Sequence, residues 1–447
     1  MLRVILTALT LTRAGDGLPV KSPTEVGMSS TRLNAIERVV ERGIKAGGYP
    51  GASVIVGRKG AAVFEKGFGK LSWSESSTAV DAQHTIYDIA SLSKVVGTTT
   101  AIMILYDENK IRLDDPVVNY IPTFGGGDKD KVTIRQLLTH TSGLPAGRDI
   151  WRIAQTPLEA RALVLNTPLE GRPGAQYIYS DLGADVLGLL IEVVSGEPLD
   201  KFLTRRVFEP LGMNETMYRP ADSLRYRIAP TEVTPPRGYP LRGEVHDENA
   251  YALGGVAGHA GLFSTAADLS VFAQMMLNGG EYNGVQIISK PTVELFTSRA
   301  FGHRALGWDT AEGDYGSGRY LGPTAYGHTG FTGTSMWIDP EREMFVILLT
   351  NRVHAARALR PAKVISDVRA DLSDAAVLSV LDGPKLTAGS KAFRADREVG
   401  WNPPPRASRR RHGSSRHHSI ASATSRSRSS SAKKSSSSKK KSSRKSH

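Results

Sequence analysis

The sequence predicts an α+β fold in which an antiparallel sheet, built from N- and C-terminal segments and flanked by helices, is interrupted by an inserted, mainly helical domain. Three observations carry this. Near the N-terminus, the β-rich runs Ala52–Val56 and Ala61–Phe64 enclose Gly57-Arg58-Lys59-Gly60, a Gly-containing turn that reads as a hairpin. Near the C-terminus, Ser335–Ile338 and Met344–Leu349 enclose Asp339-Pro340-Glu341-Arg342 and read as a second hairpin. From Asp114 to about Tyr251 the pattern is helical, broken by Pro and Gly, so strands at both ends enclose helices and imply one composite sheet.

The elements follow in order. Ser29 to Ala46, after a Ser-Ser-Thr cap signal, places Leu33, Ile36, Val39, Val40 and Ile44 on one face of a helix. After the first hairpin the chain reaches Asp88-Ile89-Ala90-Ser91 and a long apolar helix through Leu105. The insertion, residues 114–251, carries helical segments at Val132–Leu138, Pro157–Asn166, Ala184–Ser195 and Leu199–Val207, and a further helix is expected at Ala266–Leu277. Past Pro361, which suits a helix start, an amphipathic pattern runs from Ala362 to Leu381 until Gly383-Pro384 stops it. The resulting division is a leader over 1–20, one folded domain over 21–383, a linker over 384–405 containing the extended spacer Trp401-Asn-Pro-Pro-Pro405, and a basic tail over 406–447.

Charge supports that division. Of the 57 Lys and Arg in the 447 residues, fourteen lie in 406–447 beside no Asp or Glu, leaving 43 basic against 44 acidic side chains in residues 1–405. A nucleic-acid-binding fold needs positive charge on a folded surface, so the overall charge of +13 describes a tail and not a binding domain. The tail has almost no apolar residue to offset its conformational entropy and is expected to be disordered, with polyanions as partners or with no role beyond solubility. No cysteine is present, which excludes disulfide frameworks, zinc–cysteine sites and thiol nucleophiles. No run reaches the roughly 18 apolar residues of a transmembrane helix. Arg3 followed by the apolar run Val4–Leu11 is at the short limit of a signal peptide and predicts a periplasmic or secreted protein; the alternative is a few disordered leader residues or a misassigned start, and then a cytoplasmic protein.

Three stretches can carry chemistry. Ser91-Leu92-Ser93-Lys94 is, outside the tail, the one Ser-x-x-Lys of the chain and opens a helix, where positions three apart share a face. Ser91 and Lys94 can therefore meet as nucleophile and base, provided that burial among neighbours such as Ile89 and Val95 lowers the lysine pKa. By chance alone one such spacing is expected about once or twice in a chain of this length, so the motif needs company. Tyr179-Ser180-Asp181 precedes the apolar helix from Leu182 and reads either as a plain helix cap or as a proton relay. Gly327-His328-Thr329-Gly330-Phe331-Thr332-Gly333 precedes the strand at Ser335 and reads either as a Gly-rich turn or as an edge that a ligand can approach closely.

In this order the three motifs resemble those of the serine β-lactamase and penicillin-binding-protein superfamily, and most the branch of class C β-lactamases, D-Ala-D-Ala carboxypeptidases and carboxylesterases. The segments Gln136–Leu144 and Gly254–Thr265 are similar to common stretches of that branch, and the resemblance spans roughly residues 25–380. It implies a β-lactamase/transpeptidase-like α/β/α sandwich and a serine hydrolase that cleaves an ester or amide, with small-molecule or peptide acyl substrates, peptidoglycan-derived ones included, and no metal or organic cofactor. It further implies Ser91 as acylated nucleophile, Lys94 as its activating partner and Tyr179 as the group exchanging protons. The backbone N–H groups of Ser91 and Phe331 would form the oxyanion hole, Asp181 would orient Lys94 or the substrate amide, and His328, Thr329 and Gly330 would line the substrate. His140 is expected in a structural turn, whereas the Gly-rich setting of His259 could bring it near the site.

Two departures bear on the chemistry. His328 stands where β-lactamases and carboxypeptidases usually carry Lys, replacing a permanent cation by a group mostly neutral at pH 7. Asp181 stands where Asn is usual, and its charge would raise the Lys94 pKa and shift proton acceptance toward Tyr179. Both favour a peptidase or esterase over a dedicated β-lactamase. The rival reading is a catalytically weak binding module tethered to anionic polymer by its tail; such a module would not need Ser91, Lys94 and Tyr179 together.

Overall fold

A computed structural model describes residues 17–311, 316–354, 362–386 and 391–402. The leader up to residue 16, Pro361 and the basic tail lie outside the described residues.

The central sheet has six antiparallel strands in the order Ala61–Gly69, Gly51–Arg58, Met344–Thr350, Ser335–Asp339, Tyr326–Thr329 and Asp309–Thr310. The two predicted hairpins are joined at its centre, with Ile55 opposite Ile347. In the first hairpin the turn is shorter than predicted: Lys59 and Gly60 alone, both at positive φ (49° and 79°), connect strands that extend to Arg58 and Gly69. Paired left-handed residues match the twist of the flanking strands, which is why this two-residue turn wins over a four-residue loop.

Both faces of the central strands are buried, and the period-2 alternation sorts their side chains. Val54, Val56, Val346 and Leu348 point into one core, with Val39 and Val40 of the helix Ala35–Lys45 and Val368 and Leu372 of the helix Ala362–Ser379. Ile55, Ile347 and Leu349 point into the other, with Leu269, Phe272 and Met276 of the helix Ala266–Leu277. The arrangement is the expected α/β/α sandwich. The predicted helix Ser29–Ala46 is divided at Asn34 into Ser30–Leu33 and Ala35–Lys45, with Asn34 itself keeping a right-handed backbone (φ −61°, ψ −13°).

The insertion is mainly helical, with helices at Pro157–Leu165, Asp181–Ser195 and Leu199–Leu203. It also contributes a strand that the helical pattern concealed. Met217–Tyr218 pairs with Leu262–Ser264, which pairs with Tyr87–Asp88, forming a second, three-stranded sheet. This small sheet sets residue 88 opposite residue 263, and just beyond it the Ile89 N–H donates to the Leu262 carbonyl at 3.1 Å.

The domain does not end at Gly383. Residues 391–402, expected within a linker over 384–405, return along the helix Ala362–Ser379, with Ala395 and Trp401 buried. Arg394 donates to Asp371 and Asp374 at 3.1 and 3.0 Å, the Ala395 N–H to Asp371 at 2.6 Å, and Trp401 Nε1 to Asp367 at 2.9 Å. Trp401 is therefore no part of an extended spacer: the acidic face presented by Asp367, Asp371 and Asp374 needs a partner, and this strap supplies a cation and two N–H donors. Trp401→Ala is expected to lower the unfolding free energy by about 3 kcal/mol in denaturant titration, as large-to-small changes in packed cores do; a loss below about 1 kcal/mol would show that the strap does not belong to the core.

Candidate active site

The site is assembled where the two sheets meet. Strand Tyr87–Asp88 leads into Ala90, whose φ of 48° is left-handed, unusual for a residue with a side chain and costly unless its surroundings fix it. The surroundings do so: Asp88 Oδ1 accepts from the Ala90 N–H at 2.8 Å, and Ser93 and Lys94 donate back to the carbonyls of Ala90 and Ser91 at 2.9 and 3.1 Å. The kink ends the strand and starts the helix at Ser91, and the next turns are π-helical over Lys94–Thr99 before α-helix resumes at Thr100–Asp107.

Lys94 is buried and its Nζ lies 3.0 Å from Ser91 Oγ, 3.0 Å from the His259 carbonyl oxygen and 2.7 Å from Asp181 Oδ1. An ammonium has three donors and no acceptor, and here it meets three acceptors. Burial alone would push the Lys94 pKa down, the condition for a lysine base; the charge and hydrogen bonding of Asp181 and Tyr179 reverse that and hold it above its ordinary value. The expectation of a lysine made basic by burial is thus corrected, and the expected effect of Asp181 prevails. Lys94 is a cation whose hydrogen bond points at Ser91.

Tyr179 and Asp181 come from the cap of the helix Asp181–Ser195. Ser180 Oγ accepts from the Gly183 N–H at 3.1 Å, so the cap reading and the site reading hold together. Tyr179 is fixed on three sides: Lys94 Nζ is 5.1 Å from its ring centroid, the His140 ring 4.5 Å and the His328 ring 6.0 Å. His140, at a left-handed φ of 56°, accepts from the Ser180 N–H through Nδ1 at 3.0 Å and takes the Ile178 N–H on its carbonyl at 2.8 Å. Burial, with the charges of Arg304 and Lys94, holds its pKa well below the usual histidine range, so it shapes the turn as a neutral acceptor.

His328 and Thr329 end the strand Tyr326–Thr329, whose outer neighbour Asp309–Thr310 pairs only with Gly327 and Tyr326. The stretch after Gly327 is thus a strand, then a turn, and the sheet edge at His328 and Thr329 extends beyond its last partner. His328 Nδ1 lies 2.8 Å from the Thr329 carbonyl, an acceptor, so the proton sits on Nδ1 and the buried Nε2 presents a lone pair. Burial lowers its pKa to about 4, against the opposing charge of Asp309, so the residue is neutral at pH 7.

The turn that follows is bound to the segment before Ser91. Thr332 Oγ1 donates to the Asp88 carbonyl at 2.8 Å and Thr334 Oγ1 to the Ile89 carbonyl at 3.0 Å. A Cβ on Gly330 would stand 2.5 Å from the Ile89 carbonyl oxygen, so only glycine allows this approach. The backbone amides of Ser91 and Phe331, the two candidate oxyanion donors, are held in one frame.

Several contributing residues carry no motif. Asp88 also accepts from the His246 N–H at 2.7 Å, and the His246 ring stacks on Phe331 with centroids 5.8 Å apart. Buried Arg304 pairs with Asp309 and lies 5.8 Å from the Tyr179 ring. Arg369, from the helix Ala362–Ser379, donates to the carbonyls of Gly330 and Thr334 at 2.6 and 2.8 Å. Only Asp88, by its place three residues before Ser91, left a trace in the sequence pattern. A cavity of about 890 Å³ lined by Trp151, Arg219, Tyr239 and Tyr251 includes none of the motif side chains. Among the described residues no group of three or more His, Cys, Asp or Glu could hold a metal ion, and no helix is long and apolar enough to cross a membrane.

Comparison with known proteins agrees with the geometry. The chain is 33% identical over 397 residues, 79% of its own length and 91% of the relative's, to an Escherichia coli K12 protein named "Putative D-alanyl-D-alanine carboxypeptidase". Its fold matches a class C β-lactamase with a TM-score of 0.64 at 17% identity, covering 80% of this chain and 98% of that one. It also matches EstCE1, a hydrolase with promiscuous acyltransferase activity, with a TM-score of 0.62 at 21% identity, covering 78% and 99%. The β-lactamase family model matches residues 36–369, a span that takes in Ser91-x-x-Lys94, Tyr179-x-Asp181 and His328-Thr329-Gly330, and the chain therefore belongs to the β-lactamase family.

Proposed function

We propose that this protein hydrolyses an ester or amide through an acyl-enzyme on Ser91, acting as a D-Ala-type peptidase or carboxylesterase. The observation that carries the proposal is the Lys94 ammonium, held by Asp181 and donating to Ser91 Oγ at 3.0 Å. A lysine that keeps its proton has no lone pair for the serine proton, so proton exchange falls to Tyr179, whose ring lies against that ammonium.

In the reading we adopt, Tyr179 starts as a phenolate beside the Lys94 ammonium, and Ser91 Oγ attacks the substrate carbonyl carbon as its proton passes to that phenolate oxygen. The oxyanion is met by the N–H groups of Ser91 and Phe331, donors of this kind being worth about 3 kcal/mol each in the transition state. Tyr179 then protonates the departing alcohol or amine; in the second half it takes a proton from water as water attacks the acyl carbonyl, and returns it to Ser91 Oγ as the bond between the acyl carbon and that oxygen breaks. Lys94 keeps its proton throughout and stabilises negative charge on the serine oxygen and on Tyr179.

The substrate class follows from His328. A neutral ring carrying a lone pair on the sheet edge offers no ionic grip on a substrate carboxylate, so β-lactams and D-Ala-D-Ala peptides alike would be held there without an ion pair, while uncharged esters lose nothing by it. The name of the Escherichia coli relative supports a peptide ending in D-Ala as the natural acyl donor. That substrate class and the apolar run Val4–Leu11 together favour action outside the cytoplasm.

The first test is intact mass after mixing with p-nitrophenyl esters, a β-lactam and a D-Ala-D-Ala peptide. An acyl adduct is expected on the wild type and none on Ser91→Ala, whose melting temperature should be unchanged; turnover by Ser91→Ala at the wild-type rate would end the assignment. A second concerns Asp181. Because Asp181 raises the Lys94 pKa, the ammonium is present below that raised value and lost above it; Asp181→Asn should therefore move the alkaline limb of the kcat profile to lower pH. An unmoved limb would show that Lys94 is not the group that titrates.

A further inference from the structure

The side chain of His259 has no part in the steps above, yet it is buried with a carboxylate at each ring nitrogen. Nδ1 is 2.7 Å from Asp185 Oδ1 and Nε2 is 2.9 Å from Asp247 Oδ1. Ionised carboxylates only accept, so both nitrogens carry protons and the ring is an imidazolium. The carbonyl of this same residue is one of the three acceptors around Lys94.

The surrounding contacts make that carbonyl's position a consequence of the ring's. Asp185 lies one turn beyond Asp181, so one face of the helix Asp181–Ser195 reaches Lys94 twice, directly through Asp181 and indirectly through Asp185 and His259. Asp185 also accepts from the His259 N–H at 3.3 Å, and Thr98 Oγ1, one turn beyond Lys94, donates to the Gly258 carbonyl at 2.6 Å. Gly258 packs so tightly on the helix that a Cβ would stand 2.0 Å from the Ala184 carbonyl oxygen. From the other side, Asp247 caps the helix Glu248–Ala252, accepting from the Ala250 N–H at 2.8 Å.

We propose that Asp185, His259 and Asp247 are positioning residues for the reaction, an imidazolium clamped between two carboxylates that fixes the residue-259 carbonyl against the Lys94 ammonium. The inference rests on the role given to Lys94 above. The charged groups facing the ring are Asp185 from the Tyr179–Asp181 helix, Asp247 from the neighbouring cap and Lys94 from the nucleophile helix, with His246 acting on Asp247. Burial favours the neutral ring, and the two carboxylates outweigh it, holding the proton well above the usual histidine range. The clamp is therefore intact at neutral pH. As pH rises through that raised value the ring loses a proton, one nitrogen turns a lone pair toward a carboxylate, and the contact reverses sign.

Asp247→Asn tests this, because asparagine caps a helix as well as aspartate and preserves the shape while removing one charge. With p-nitrophenyl acetate we expect an unchanged melting temperature and KM, a kcat reduced at least tenfold at pH 9, and an alkaline limb at least one pH unit below that of the wild type. A kcat profile superimposable on the wild type's would overturn the proposal. An independent readout avoids any folding defect: in wild-type protein labelled with 15N-histidine, one ring should keep both nitrogens protonated at pH 8, and spectra in which every ring is neutral there would overturn the clamp. If the wild type forms no acyl adduct with any ester, the hydrolase reading fails by that result, and the 15N spectrum alone decides the clamp.

Discussion

The rest of the site depends on keeping an ammonium charged where water cannot reach it. Lys94 lies among buried apolar side chains, and desolvation presses it toward the neutral amine. What prevents this is a complete set of acceptors: a serine hydroxyl, a main-chain carbonyl and a carboxylate, each from a different part of the chain. Removing the carboxylate would leave a buried charge without its counter-ion, a more severe defect than the loss of an exposed ion pair. The architecture can be understood as the means of bringing these acceptors to one atom.

The two sheets divide that work. The large sheet carries His328 and Thr329 on a strand whose outer neighbour stops short of them, and the small sheet carries Asp88 and Leu262. Asp88 links the two, since its side chain accepts from Ala90 and from His246 while its carbonyl takes Thr332. Buried and fully engaged, it converts the left-handed residue before Ser91 and the turn after His328 into one rigid piece. Preorganisation of this kind is what an oxyanion site requires, because donors that had to reorient during the reaction would give back much of what they contribute.

How much of this was legible in the sequence follows from how local each signal is. The hairpins, the long helices and the three motifs are written in neighbouring residues, and their pairing along the central strands follows from apolar alternation. The strand Met217–Tyr218 was not legible: two residues long, it exists only because Leu262–Ser264 lies beside it. The strap at 391–402 was hidden for a related reason, since Pro, Gly and charged residues read as linker until Asp367, Asp371 and Asp374 are known to face it. Of the site, the residues in motifs are legible, as are His140 in its turn and His259 beside Lys94, while the remaining supports are not. Arg304, Arg369 and Asp185 are ordinary charged residues in sequence and acquire meaning only through contacts with other segments of the fold, Arg304 with Tyr179, Arg369 with Gly330 and Thr334, Asp185 with His259. The Lys94 pKa was read in both directions, and the balance required the distance to Asp181.

Arg369 reaches from the helix Ala362–Ser379 to the carbonyls of Gly330 and Thr334, while Asp367, Asp371 and Asp374 on that helix hold the strap 391–402. One helix thus presents one set of side chains to the end of the domain and another to the turn beside Ser91. Selection for thermal tolerance acting on the last part of the domain would therefore not be silent in kinetics: sequence changes that reseat this helix are filtered by turnover as well as by folding.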